Sequence, residues 1–268
     1  MASSLAPNDN GDGASTRAKA LVALLFASLI GVAWAFAATK VPPYILPSPA
    51  DVGRAAWSFF TNGRTLGHLG ATLLHIGASI AIAFFAGSLL ALVAHYFAWS
   101  APAIHRRLSP FLNAFSGIGW TLLAVIWFGV STAAVVFTIA VVLLPFALVN
   151  LREGLESLDR ELIDMGHSFG RGKLANLVAI VLPALLPFIA ATLRIMFGVA
   201  WKVALTAELF GGGRGLGYMI NIARQDYDTA TIFTVILFII ITVYLADRLL
   251  FAPLEKLTSR HFAARARR

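Results

Sequence analysis

The amino-acid sequence predicts an all-α, polytopic membrane protein with about six transmembrane helices, and three observations carry that expectation. Hydrophobic residues fill 59% of the 268 positions and charged residues only 13%, with a mean hydropathy of +0.80. Soluble domains carry roughly 25% charged residues, so this chain has too few to clothe a water-facing surface. Several apolar runs reach the ~20 residues that a helix needs to cross a bilayer. Lysine and arginine gather at the ends of those runs on alternating sides, as topology selection requires.

Residues 1–16 are rich in Ser, Asn, Asp and Gly and are expected to form a disordered tail. Arg17 and Lys19 precede the first apolar run, 20–38. The triplet Ala35-Phe36-Ala37 also fits a signal-peptide cleavage site, but the run exceeds the ~7–15 residues of a signal core and more spans follow. It is therefore read as a retained first span. The prolines between Lys40 and Pro49 predict an extended crossing. Ser48 as cap and Pro49 in the first turn then start a helix. That helix, Ala50 to Phe60, puts Val52, Ala55, Ala56, Phe59 and Phe60 on one side and is expected along the membrane interface.

A second span covers 69–97, where Gly70, Gly77, Ala78, Ala81 and Gly87 invite close approach of a neighbouring helix. After His105-Arg106-Arg107 a third span is expected over 112–128, with Trp120 and Trp127 either anchoring it at the interface or facing a path. A tight turn at Gly129-Val130-Ser131 leads into a fourth span, 132–149, in which a membrane helix tolerates Pro145. The fifth span covers 180–207 and the sixth 230–250, with a glycine-rich loop, Glu208 to Thr229, between them. Residues 17–257 thus form one transmembrane domain, followed by a basic tail, 258–268.

Counting cations by side orients the chain. Arg17, Lys19, Arg106, Arg107, Arg152, Arg160, Arg171, Lys173, Arg248, Lys256 and the four arginines of the basic tail share one side, and only Lys40, Arg54, Arg64, Arg214 and Arg224 lie on the other. The richer side is expected to be cytoplasmic, which places both termini inside. The net charge of +8 then reflects topology, and no nucleic-acid partner is expected.

Several chemistries are excluded. The chain has no cysteine, so disulfides and thiolate sites are impossible. The run Gly211-Gly212-Gly213-Arg214-Gly215-Leu216-Gly217 lacks the Gly-Lys-Ser/Thr and the preceding strand of a phosphate loop. The six histidines show no close pair at metal spacing, and His75 and His95 are read as packed or interfacial. No cofactor and no catalytic residue is expected. Proton-driven carriers usually place carboxylates deep in the membrane. All thirteen acids here are read into tails, loops or span ends, with Glu208 and Asp247 nearest the bilayer, so the energy for any transport is expected from a partner.

The stretch from Glu153 to Pro183 says which partner. It is the longest charged interval between two strongly apolar segments, and Leu151, Leu155, Leu158, Leu162 and Met165 advance along it as one helical stripe. Gly166 and Gly170 interrupt the stripe, and a second short helix, Lys173 to Val178, leads back to the membrane. Two short amphipathic helices at 153–178 form a docking surface. Asp164-Met165-Gly166, Gly170, Ile180 and Leu182-Pro183 resemble, with every spacing kept, the pattern E-A-A-x3-G-x9-I-x-L-P of permease subunits of ATP-binding-cassette (ABC) importers. The first three positions depart from it, Asp standing for Glu and Met-Gly for Ala-Ala. In those permeases the loop sits in a groove of the ATPase.

Further stretches, Leu46-Pro47-Ser48-Pro49, Trp127-Phe128-Gly129, Trp201, Ala207-Glu208, Gly215-Leu216-Gly217 and Ala223-Arg224, resemble one branch of that family. It is the binding-protein-dependent permeases for nitrate, taurine, alkanesulfonates and related small, mostly anionic solutes. The match runs from about Tyr44 to Leu257, and departs where relatives carry prolines and this chain reads Ser116-Gly117-Ile118-Gly119-Trp120.

The resemblance implies a type I ABC-importer permease fold in a bacterial inner membrane, non-catalytic by itself and moving a small solute inward by alternating access. It implies two cytosolic ABC ATPase subunits on the docking loops, an extracytoplasmic solute-binding protein, a second permease copy forming a homodimer, and surrounding membrane lipid. Trp201, Glu208, Gly215, Gly217 and Arg224 are expected to shape the outer gate or path. Arg194 and Lys202 fall within the fifth span, where a lone charge costs at least ~2.5–3.5 kcal/mol, so each is expected to face protein or water. Arg194 either satisfies groups on another span or contacts substrate, and Lys202 either attracts an anion in the path or snorkels to the outer surface. A secondary carrier or channel-like protein, uncoupled from an ATPase, is the alternative reading.

Overall fold

A computed structural model of the chain describes residues 10–97, 99–158, 178, 181–251 and 253. Among these residues every regular element is helical. The first helix, α1 (Asn10–Ala38), begins ahead of the expected span and leaves most of its apolar surface, including Leu25, Phe26, Leu29 and Phe36, uncovered by the rest of the chain. Its last turns are tied down by Trp34 Nε1 donating to the Pro47 carbonyl at 3.0 Å and by Trp34 stacking on Phe233.

The next helix, α2 (Pro49–Thr61), starts where Ser48 and Pro49 place it. The Ser48 hydroxyl accepts from Asp51 N, and the Asp51 carboxylate accepts from Ser48 N, closing a capping box. The Ser48 hydroxyl bond, then the Ser48 backbone bond, hold the Asp51 carboxyl below the usual carboxylate range, with Arg54 adding to the effect. Val52 and Phe59 are buried and Ala55 and Ala56 half-buried, as expected, but Phe60 is exposed. This helix lies against α9 (Thr229–Phe251), with Phe59 packed 5.0 Å from the Phe238 ring centre.

The long helices α3 (Gly63–Tyr96), α6 (Thr132–Glu156) and α7 (Leu182–Gly211) form the core. In α3 the buried line is Thr72, Ile76, Ser79, Ala83, Gly87, Ala91 and Ala94, spaced by threes and fours. Gly87 is where the backbones come closest: a Cβ there would stand 2.6 Å from Ala147 Cβ and 3.1 Å from the Leu144 carbonyl oxygen of α6. Gly70 and Gly77, expected to serve the same purpose, look out onto open space instead, because they lie off that line. Within the membrane, Ser79 bridges the two helices by its hydroxyl, 3.0 Å from the Val136 carbonyl.

The third span is not the single helix expected over 112–128. It is two helices, α4 (Ala101–Ala114), which carries a π-turn at Ile104–Leu108, and α5 (Gly117–Phe128), bent by 86°. The cause is local. Phe115 is extended (φ −93°, ψ 135°), and the Ser116 hydroxyl accepts from Gly119 N, capping a new helix. The turn at Gly129 is as expected, with φ +66° at the glycine and Ser131 capping α6. The loop after Glu208 holds a further amphipathic helix, α8 (Leu216–Gln225).

Among the described residues, α3, α6, α7 and α9 are each long and apolar enough to cross a membrane, and the bent α4–α5 pair makes a fifth candidate. The apolar part of α1, Leu24–Ala38, is shorter. The architecture is an all-α polytopic membrane bundle.

Candidate functional site

The most concentrated polar chemistry in the bundle surrounds Glu208, three residues before the end of α7, where the turn into α8 begins. Its side chain is fully buried. Oε1 lies 2.7 Å from His75 Nδ1, and Oε2 accepts from the Thr72 hydroxyl and from Gly217 N, each at 2.9 Å. Thr72 in turn accepts from Leu216 N at 2.8 Å, and His68 Nδ1 accepts from Gly215 N at 3.1 Å. The far side of the His75 ring faces the Thr132 hydroxyl of α6, 3.3 Å from Nε2. One carboxylate therefore joins the first turn of α8 to α3, and three successive backbone N–H groups, at Gly215, Leu216 and Gly217, find partners there.

The two glycines are sterically required. Gly215 has φ +117°, and a Cβ would collide with the Glu208 carboxyl group. At Gly217 a Cβ would run into the Leu205 carbonyl oxygen and stand 2.8 Å from Glu208 Cβ. Gly215 and Gly217, two of the residues assigned with Glu208 to the outer gate or path, thus lie directly against the Glu208 side chain. Glu208 lies at a span end, as expected of the acids, but there it is fully buried, enclosed by α3 and α8.

Sequence reading did not join Thr72, His75 and His68 to this group. The signal was available in α3, where 68, 72 and 75 form a polar stripe on a helix otherwise apolar at those heights.

The remaining site residues disperse. Arg224 is exposed near the end of α8 and donates to Asn221 Oδ1 at 3.2 Å. Trp201 is 2% exposed and packs edge-on against Phe197, in the core between α3, α6 and α7; its Nε1 is buried with no hydrogen-bond partner among the described residues. Arg194 makes a two-pronged contact with Asp247 of α9, at 2.8 Å and 3.1 Å. Lys202 is exposed on the side of α7 that turns away from Trp201 and Ala204.

At the other end of the bundle, α6 continues helical to Glu156, past the expected start of the docking loop at 153. Leu151 and Leu155 of the leucine stripe are buried there with Ala91, Ala94, Val181 and Leu185. A cavity of about 670 Å³ opens beside them, edged by His95, His105, Arg152 and Glu156. Leu182 is exposed and Pro183 half-buried in the first turn of α7. Asp164, Met165, Gly166, Gly170 and Ile180 lie outside the described residues.

The family model for binding-protein-dependent transport system inner membrane components matches residues 83–252. The chain belongs to this family. The permease is 28% identical over 243 residues to the taurine transport system permease protein TauC of Escherichia coli, covering 88% of this chain and 87% of that one. It is 30% identical over 225 residues to the formylaminopyrimidine transport permease protein ThiX of Halalkalibacterium halodurans, covering 80% and 86%. A probable ABC transporter permease of Brucella melitensis is 29% identical over 238 residues, covering 87% and 95%. Among solved structures, an inward-facing form of the MetNI methionine ABC transporter superposes with a TM-score of 0.56 at 16% identity, covering 80% of the permease and 95% of that chain. The permease is accordingly a non-catalytic, inner-membrane subunit of an ABC transport system, with the ABC-importer permease fold.

Proposed function

We propose that this permease is the membrane subunit of an ATP-driven importer for a small anionic solute of the sulfonate, taurine or nitrate type. Two copies enclose a central path, two cytosolic ATPases hold the loops at 153–178, and an extracytoplasmic binding protein delivers the solute to the opposite face. Both termini and the docking loop are then cytoplasmic, and α8 with the Glu208 cluster lies outside. The observation that carries this reading is α7. One continuous helix of 30 residues, about 45 Å long at 1.5 Å per residue, runs from Leu182-Pro183 of the docking pattern past Glu208 to Gly211. Its lower end shares a buried cluster with the end of α6, so a push on the loop displaces both helices and reaches the α8 turn. The anionic solute is supported by the relatives' taurine and sulfonate transport and by the exposed cation Lys202 on α7.

The test is co-expression with candidate ATPases. Gly170→Trp is expected to abolish co-purification of the ATPase while the permease still inserts in the membrane. A variant that retains its ATPase and ATP-dependent uptake refutes the docking assignment.

A further inference from the structure

His68 and His75 lie on one stripe of α3, and both touch the α7–α8 junction, yet their ring nitrogens are committed differently. His75 Nδ1 faces the Glu208 carboxylate, an acceptor, so that nitrogen carries a proton. Its Nε2 faces the Thr132 hydroxyl, which rotates to donate to a neutral ring or to accept from a charged one. His75 therefore keeps both bonds in either charge state. His68 has no such freedom. Its Nδ1 accepts the Gly215 N–H at 3.1 Å, and a backbone amide only donates. A second proton on that ring would set donor against donor. The ring stacks on Tyr218 of α8, with centroids 5.7 Å apart, and is half-buried near the start of α3, within reach of water. The charged groups acting on it are Glu208 of α7 and Arg214 of the turn, which oppose each other.

We propose that His68 is a proton-responsive positioning residue of the outer latch: neutral, it holds the Gly215 turn and α8 against α3, and protonated, it releases them. The inference rests on the outward placement of α8 given above. One proton from the external water is added at Nδ1, the Gly215 N–H···Nδ1 bond is lost, and of the three backbone bonds that fix the turn into α8 only those to Thr72 and Glu208 remain. The latch is tight where the imidazole is neutral and loosens once external pH is low enough to protonate it.

The chain's lack of cysteine allows a direct test in the assembled transporter in proteoliposomes. Ala223→Cys reports on the buried face of α8 and Gln225→Cys on its exposed face. The ratio of their labelling rates with a membrane-impermeant maleimide is read at external pH 8 and 5.5, values chosen about the histidine range. With His68 present the ratio is expected to rise several-fold at the lower pH. His68→Asn, whose carbonyl oxygen stands where Nδ1 stood, should keep it low at both values, and His68→Leu should keep it high at both. The proposal is overturned if His68→Asn shows the full rise, or if His68→Leu matches the low ratio of the unsubstituted latch. A rise that survives His68→Asn but is lost in His75→Gln also overturns it, by assigning the proton to the buried pair. Labelling of Gln225→Cys only from the inside refutes the outward placement rather than the chemistry, and the same variants then decide the latch in inverted vesicles.

Discussion

Thr72→Val removes one oxygen from the centre of the Glu208 cluster and changes almost nothing else in volume. The hydroxyl it deletes is fully buried, donates to Glu208 Oε2 at 2.9 Å and accepts from Leu216 N at 2.8 Å. Loss of a hydrogen bond to a charged group costs about 1.5–3 kcal/mol, and a buried N–H left without a partner about 1–3 kcal/mol. Small shifts recover part of this sum, so the closed arrangement of α8 on α3 is expected to lose about 3 kcal/mol. For a chain of this size each kcal/mol corresponds to about 2–4 °C in Tm, which gives a fall of about 6–12 °C. Thr72→Ser keeps the hydroxyl and loses a methyl group, about 1 kcal/mol, or a fall of about 2–4 °C. Thermal unfolding of the purified permease in detergent, followed by tryptophan fluorescence, separates the two. Equal midpoints for Thr72→Val and Thr72→Ser would show that the hydroxyl does not hold α8.

Other outcomes follow from the same geometry. Gly215→Val forces a branched side chain onto a residue with φ +117° and into the Glu208 carboxyl group, so ATP hydrolysis stimulated by the binding protein should fall sharply; normal stimulation in the variant argues against the turn as a gate element. Arg194→Asp and Asp247→Arg should each lower the midpoint of unfolding, and the exchange of both should recover part of the loss, as a double-mutant cycle on a contact between α7 and α9 requires. Lys202→Met should reduce solute uptake several-fold with assembly and basal ATP hydrolysis unchanged, and Lys202→Arg should retain more activity than Met. Uptake by the Met variant equal to that of the unsubstituted permease would identify Lys202 as an anchor at the membrane surface.

What the sequence disclosed was mostly local. Ser48-Pro49 starting α2, Ser131 starting α6 after Gly129, and the long apolar runs all depend on residues within a turn or two of each other. The corner between α4 and α5 is local as well, yet it was hidden, because Ser116 and Gly117 sit within an apolar run that hydropathy alone joins into one span. Pairing across the bundle was not legible. Glu208 meets Thr72 and His75 across 136 and 133 positions of chain, and nothing in either segment names the other. Helix periodicity would have grouped His68, Thr72 and His75 on one face, but not shown that Glu208 lies opposite. The small residues of α3 illustrate the same boundary. Composition suggested close approach at three glycines, and only Gly87 lies on the side where α6 passes.

The bend between α4 and α5 has a consequence for hydration. Ser131, just beyond α5, bonds through its N–H to the Gly211 carbonyl at the end of α7, so α5 runs inward from the end of the bundle that carries α8. With 12 residues it is about 18 Å long, well short of the ~30 Å of bilayer hydrocarbon. Its first residue therefore starts at a depth where lipid tails offer peptide groups nothing. Trp120 Nε1 caps the Leu112 carbonyl at 3.3 Å, relieving one of the carbonyls that α4 leaves open there. The other open peptide groups of the corner need protein or water, and a straight span would have created no such demand. The corner is thus a place where the chain's own backbone invites moisture into the middle of an oily layer.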